Sequence, residues 1–343
     1  MTELREFAQR AGDWLHEGKQ VLAATVIETW GSSPRRPGAM LFFTDDLQMI
    51  GSVTAGCVEG AVIEEGRTLL KKNQRAKLLH YGVSDDTAWE VGLACGGELD
   101  VLVQTWTSEE QAAIQPLLES EATFIRAVVI GGAEDLLGAT LIAHDGKVTH
   151  STLPPIIAED LAGSLRDWTD ATAVIQQEGG LRFFVQCISP PDTLVIVGGN
   201  HVAVALARLA DVLDYRVVLI DPRSAFASEE RFPQVQQVLN EWPQNALPKL
   251  NLSPATSVVL LTHDPKVDDP ALEVVLRSQA GYIGALGSRR TQAARRERLL
   301  ERGLTEAEIA RIHGPVGLDI GAKSPAEIAL SILAEMVQVR AGR

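Results

Sequence analysis

The sequence predicts an α/β protein of two domains: an N-terminal α+β domain with a mainly antiparallel sheet over residues 1–188, and a C-terminal doubly wound parallel sheet over residues 192–343. Three observations predict it. A chain of 343 residues is too long for one ordinary domain and comfortable for two. The strand-like runs of the first half are broken by turns and short helical pieces, whereas those of the second are continuously apolar, end in Gly, Asp or Asn, and alternate with helices. Between them lies "SPPD", Ser189 to Asp192, whose paired prolines continue neither sheet nor helix and favour an extended linker.

In chain order, "MTELREFAQRAGDWLHEGKQ" carries charges throughout and no apolar core segment, so it reads as an amphipathic helix and not as an export signal. "VLAATVIET" reads as a strand, "GSSPRRPG" as a stiff loop in which two prolines bracket two arginines, and "AMLFF" as a second strand. "GSVTAGCVEGAVIEEGRTLLKK" changes from a glycine-punctuated loop to helical spacing at Val58, Ala61, Val62, Leu69 and Leu70, which predicts a helix beginning near Cys57. "ELDVLVQTW", "TFIRAVVI", "ATLIAHDG" and "LRFFVQCIS" add strands, and beyond the linker "TLVIVGGN", "YRVVLID", "SVVLLTHD" and "AGYIGALGS" supply the parallel ones.

Composition narrows the chemistry. Hydrophobic residues at 45% and charged ones at 22% are ordinary for a folded soluble protein. With 31 Lys and Arg against 45 Asp and Glu, the formal charge of -14 repels polyanions and argues against general nucleic-acid binding, so an anionic ligand needs a local site. No run has the length to span a bilayer. Cys57, Cys95 and Cys187 are few, odd in number and widely spaced, which points to free thiols in a reducing compartment, the cytoplasm.

"TLVIVGGNHVAVALARLADVLDYRVVLIDPR" has the strand, glycine turn, helix and second strand of a Rossmann-like unit, with Asp221 where an acidic residue bonds a ribose. The dinucleotide pattern wants glycine at Asn200, whose side chain obstructs a pyrophosphate, so Gly198 and Gly199 also read as a plain tight turn. His201 either faces a ligand or caps the sheet edge. His263 and Asp264 end the next strand, where open α/β sheets bind ligands, but their spacing with the nearby acids fits no metal motif. In "GALGSRRTQAARRERLLE", Ser288 caps a helix while Arg289 and Arg290 offer bidentate donors for an oxyanion; Arg295, Arg296 and Arg298 read as a solvated helix face. Ser324 and Pro325 begin another helix, and Lys323 beside them is the residue that capping leaves unexplained.

A thiolate is stabilised at a helix N-terminus, and glycines expose Cys57 there; Cys95, followed by Gly96 and Gly97, is similarly bare. Cys187, inside an apolar strand, reads as a small buried group. Neither loop thiol has the local signature of a cysteine protease, and their separation matches no zinc motif.

Taken together, "GSSPRRPGAM", "GSVTAGCVEGAVIEEG", "CGGELDVLV", "VVLIDPR", "LLTHDPKVDD", "YIGALGSRR" and "GPVGLDIGAKSPAEIALSILAEM" resemble the xanthine dehydrogenase accessory factor (XdhC/CoxI) family across nearly the whole chain. "GGNH" departs from that family's usual "GAGH". The resemblance implies a chaperone without turnover of its own, which binds molybdenum cofactor in its molybdopterin form. Such a protein shields the cofactor during sulfuration with a cysteine desulfurase and inserts it into an apo xanthine dehydrogenase-type hydroxylase. Cys95 matches the family's cofactor-associated cysteine and is the expected molybdenum contact, with Cys57 on the other thiol loop. Arg35, Arg36, Arg289, Arg290 and Lys323 are candidate contacts for the anionic tail, although simple solvent exposure also explains Arg35 and Arg36. A homodimer is expected. Two other readings stand beside this one: an NAD(P)-dependent oxidoreductase with Asp221 on the ribose and His263 as acid or base, and a redox-responsive regulatory module.

Overall fold

The computed structural model describes residues 2–32, 35–56, 58–82, 97–120, 122–177 and 179–342. Two compact units divide the chain, Met1–Pro190 and Pro191–Arg343.

In the first unit α1 (Thr2–His16) is followed by β1 (Val21–Trp30), β2 (Met40–Thr44), β3 (Met49–Gly51), α2 (Glu59–Lys71), β4 (Ala76–Tyr81), β5 (Glu98–Trp106) and α3 (Ser108–Glu119). The strands pair antiparallel in the order β3-β2-β1-β5-β4. Next come β6 (Phe124–Gly131), β7 (Thr140–His144), β8 (Lys147–Ser151), α4 (Pro155–Ser164), β9 (Thr172–Gln176) and β10 (Arg182–Ile188), whose strands form a second antiparallel sheet, β8-β7-β6-β10-β9. One antiparallel sheet was expected here and two are found. Pairing between distant strands leaves no local trace. β1 explains its own lack of alternation: Val21 and Ala23 face Phe7, Ala11 and Trp14 of α1, while Leu22, Ala24 and Val26 face Val62 and Leu69 of α2. Both faces are covered, so the run is apolar throughout. Ile27 and Leu102 of the first sheet meet Val128, Ile130 and Phe184 of the second in a shared core.

The second unit runs β11 (Thr193–Val197), α5 (His201–Val212), β12 (Arg216–Ile220), β13 (Gln237–Leu239), α6 (Pro243–Ala246), β14 (Thr256–Leu260), α7 (Pro265–Leu276), β15 (Tyr282–Ala285), α8 (Arg289–Glu301), α9 (Glu306–Ile309), β16 (Ile312–His313) and α10 (Pro325–Ala341). Its six strands are all parallel in the order β13-β12-β11-β14-β15-β16. That is the Rossmann-like, doubly wound arrangement, with α5 and α10 on one face and α7 and α8 on the other. The order reverses between β11 and β14, so their carboxyl ends border the crevice that such sheets use for ligands. Among the described residues no helix is long and apolar enough to cross a membrane.

Candidate functional site

In the second unit the residues singled out from sequence all follow carboxyl ends of parallel strands: Gly198, Gly199 and His201 after β11, Asp221 after β12, His263 after β14, Arg289 and Arg290 after β15, and Lys323 beyond β16. The glycine turn, however, is satisfied from within. Gly198 has φ +103, and a Cβ on it would lie 2.6 Å from Cγ2 of Thr262. At Gly199 a Cβ would meet the Phe226 carbonyl oxygen at 2.2 Å. Both glycines are needed for close approach to neighbouring loops, whether or not a phosphate ever arrives. Asn200 caps α5 by accepting from the Ala203 N–H at 3.0 Å, and its amide donates to the Leu261 carbonyl at 2.8 Å.

Asp221 is wholly buried. Its carboxylate accepts from the N–H groups of Gly199 and Arg223, each at 2.9 Å, and from the Arg223 guanidinium at 2.9 and 2.8 Å. Burial pushes this carboxyl up, but the hydrogen bonds from Arg223 and Gly199 outweigh it and leave it below its ordinary value. The group in the ribose position thus holds the turn and its own loop together. Arg223 in turn lies over the Phe226 ring, 4.1 Å from the centroid.

His201, Arg289, Arg290 and Lys323 are exposed, and their side chains make no hydrogen bond or ion pair among the described residues. His263, also exposed, holds a left-handed backbone at φ +60. The expected solvated face of α8 needs correction. Arg295 is 2% exposed and donates to Asp268 at 3.0 Å and the Leu286 carbonyl at 3.1 Å. Arg298 grips the buried Asp269 at 2.6 and 3.1 Å, and Arg296 alone of the three pairs on the surface, with Glu306. α7 turns both acids inward, and a pattern read along α8 by itself contains no sign of that. These pairs engage Asp268 and Asp269, and Asp264 caps α7 by accepting from the Lys266 N–H at 2.9 Å; no metal-binding cluster of His, Cys, Asp and Glu occurs among the described residues.

Cys57, Cys95 and Gly96 lie outside the described residues, whereas the segments that enter and leave the thiol loops lie within them. Before Cys57, the carboxylate of Glu59 gathers the loop: it accepts from Ser52 Oγ at 2.6 Å, from Thr54 Oγ1 at 2.7 Å, and from the N–H groups of Val53, Thr54 and Gly56 at 3.1, 2.8 and 2.9 Å. Val58, the N-cap of α2, offers no side-chain cap, so Glu59 does the organising. After Cys95, Gly97 is buried, and a Cβ there would come within 2.3 Å of the Ser32 carbonyl oxygen. Only glycine lets the chain entering β5 lie against the backbone of Trp30 and Ser32.

Two cavities flank this region. One, of about 370 Å³, is lined by Trp30, Gly31, His80 and Glu98. Its Trp30 is 44% exposed, with its ring 6.2 Å from that of His80, whose Nδ1 lies 2.7 Å from Asp100 Oδ1. A carboxylate accepts, so in this contact the imidazole faces Asp100 with Nδ1 as the donor. Trp30, His80 and Glu59 are absent from the sequence-derived candidates. Trp30 stands immediately before the glycine of the proline loop, which was the available signal; His80 sits in an unexceptional strand and gave none. The other cavity, of about 630 Å³, is lined by Arg35, Arg36, Gly38, Thr172, Gln186 and Cys187 together with apolar residues. Here Cys187 is 4% exposed, and burial pushes its thiol up against the opposing contact from Ser189. It is an inert thiol, carried by β10.

Residues 14–82 match the family model of the XdhC and CoxI family, and residues 194–336 match that of the XdhC Rossmann domain, together more than half of the chain. The protein belongs to the XdhC and CoxI family. A probable xanthine dehydrogenase subunit from Bacillus subtilis is 27% identical over 330 residues, covering 95% of each chain. The molybdenum cofactor insertion chaperone PaoD of Escherichia coli is 27% identical over 337 residues, covering 98% of this chain and 88% of its own. Among solved structures, one described as a xanthine dehydrogenase from Bacillus halodurans is similar with a TM-score of 0.79 at 21% identity, covering 99% of this chain and 96% of that one, which establishes the shared fold. The chain is therefore an accessory factor of this family, related to a molybdenum cofactor insertion chaperone.

Proposed function

We propose that this protein carries molybdenum cofactor as cargo: it binds the molybdopterin form, shields it while a cysteine desulfurase supplies sulfur, and releases it into an apo xanthine dehydrogenase-type hydroxylase. The observation that carries the reading is its similarity to PaoD along 98% of the chain. The chemistry of the residues supports it. Molybdenum arrives already held by a dithiolene, so the carrier needs a labile soft contact, which Cys95 and Cys57 supply as thiolates. Gly96 and Gly97 remove side chains from the flank of Cys95. Arg35 and Arg36 face the larger cavity of the first unit, and Arg289, Arg290 and Lys323 present charge that is unpaired among the described residues of the second, all suited to an anionic tail. Too tight a grip would defeat transfer, and a labile thiol contact meets that requirement.

Nicotinamide chemistry has less support. The Gly199 N–H and both oxygens of Asp221, the groups that would hold a pyrophosphate and a ribose, are engaged with one another and with Arg223. The test is anaerobic incubation of wild type and Cys95→Ala with molybdenum cofactor, gel filtration, and assay of metal and pterin in the protein peak. Wild type retains both and Cys95→Ala loses most of each. Equal retention by the two proteins overturns the role of Cys95, and absence of retention by wild type overturns the function.

A further inference from the structure

The larger cavity of the first unit contains a buried amide whose direction is fixed. Gln186, 6% exposed on β10, accepts through Oε1 from Nη1 of Arg126 at 3.1 Å. Arg126 is wholly buried, held by Glu110 at 2.8 Å and set over the Trp106 ring at 5.3 Å. A guanidinium only donates, so the amide oxygen must face it and the amide NH2 must face away. That NH2 has no partner among the described residues, so its donors are left for whatever enters from the open side. It points to the cavity: Gln186 Nε2 lies 3.8 Å from the Cβ position of Gly38, on the same wall.

What surrounds the amide is a set of donors. Arg35, Arg36 and Thr172 line the cavity, Arg36 is exposed with no side-chain partner among the described residues, and no carboxylate appears among the described lining residues. In a chain of charge -14 such a pocket is a local exception. Leu4, Ala39, Ala171 and Ile188 complete it with apolar surface, which suits an organic body attached to the anion. Gly38 holds the arginine loop in place: at φ +92, a Cβ on it would strike Thr172 Cγ2 at 2.7 Å.

We infer that this cavity seats the phosphate of a small organic phosphomonoester, with Gln186 Nε2, Arg36 and Thr172 as its donors and Arg126 as the residue that orients the amide. The inference rests on the cargo reading only in giving the phosphate end of the pterin this seat; the cavity's taste for phosphate stands independently.

The test titrates full-length protein with inorganic phosphate at constant ionic strength, by calorimetry, for wild type, Arg36→Ala and Gln186→Met. Wild type binds, and each variant binds about tenfold more weakly or worse, the effect of losing one charge-assisted or buried hydrogen bond. Arg36 is on the surface, so its variant folds and keeps the test valid if Gln186→Met does not. Equal affinity in wild type and Arg36→Ala, or no phosphate binding by wild type, overturns the site. If phosphate binding depends on these residues but wild type retains no molybdenum cofactor, the site stands and the cargo reading falls. If the cofactor is retained equally by wild type and Arg36→Ala while neither binds phosphate, the cargo reading stands and the site falls.

Discussion

Replacing Glu59 by glutamine removes the charge around which the first thiol loop is wound. Five donors converge on that carboxylate, two hydroxyls and three backbone N–H groups, all from Ser52 to Gly56. Burial pushes its pKa up, but the hydrogen bonds from Ser52 and Thr54 more than reverse this and bring it from 4.5 down to about 2. A carboxylate with a depressed folded-state pKa stabilises above its unfolded value and loses that contribution as pH falls through the folded one, here between roughly 4.5 and 2. At about 1.4 kcal/mol per unit the shift corresponds to ~3 kcal/mol, and partial contact with solvent lowers this to ~1–2 kcal/mol. Glu59→Gln keeps one acceptor but turns an NH2 toward donors. Urea unfolding at pH 7 therefore finds the variant less stable by ~1–2 kcal/mol, and by pH 3 the gap has shrunk by about half. A gap of the same size at both pH values would show that the charge contributes nothing and that the loop is held by packing alone.

Other outcomes follow from the same geometry. Gly97→Ala places a methyl group against the Ser32 carbonyl, so it destabilises by about 1–3 kcal/mol in thermal unfolding and lowers cofactor retention; an unchanged melting temperature refutes the close approach. Asp268→Ala strands the buried Arg295 and costs about 3–5 kcal/mol in chemical denaturation, whereas Asp268→Leu combined with Arg295→Met recovers most of the loss. Asp221→Asn weakens the glycine turn by ~1–3 kcal/mol while leaving the protein as indifferent to NADH fluorescence titration as wild type; tight NADH binding by either would contradict the self-satisfied turn. Trp30→Ala leaves stability nearly unchanged, since the ring is half exposed, but reduces retention of molybdenum cofactor several-fold if the smaller cavity stacks the pterin; equal retention refutes that use of the ring.

How much of this was legible in the sequence depends on the range of each interaction. The four strands β11, β12, β14 and β15 could be read directly, because strands buried on both faces must be apolar at every position and helices must separate them. The helix after Cys57 was equally visible from its spacing. What local pattern cannot carry is partnership: that ten antiparallel strands sort into two sheets, that Arg295 and Arg298 turn in toward Asp268 and Asp269, and that Asp221 closes on Gly199 are decided by residues far away in the chain. The site shows the same division. Arg35 and Arg36 stand out because prolines bracket them, yet Gln186, which gives their cavity its direction, is one polar residue in an apolar strand and becomes meaningful only once Arg126 is seen behind it.

The closed glycine turn has a consequence for how the second unit behaves. In most folds of this shape an empty nucleotide cleft leaves backbone donors facing water, and occupancy tightens the loops around it. Here a solute seeking the cleft would first have to pry a buried carboxylate from an amide and a guanidinium. The second unit is accordingly expected to be as rigid before any encounter as after it: a frame already locked, with the outline of a nucleotide holder and its cleft closed from within.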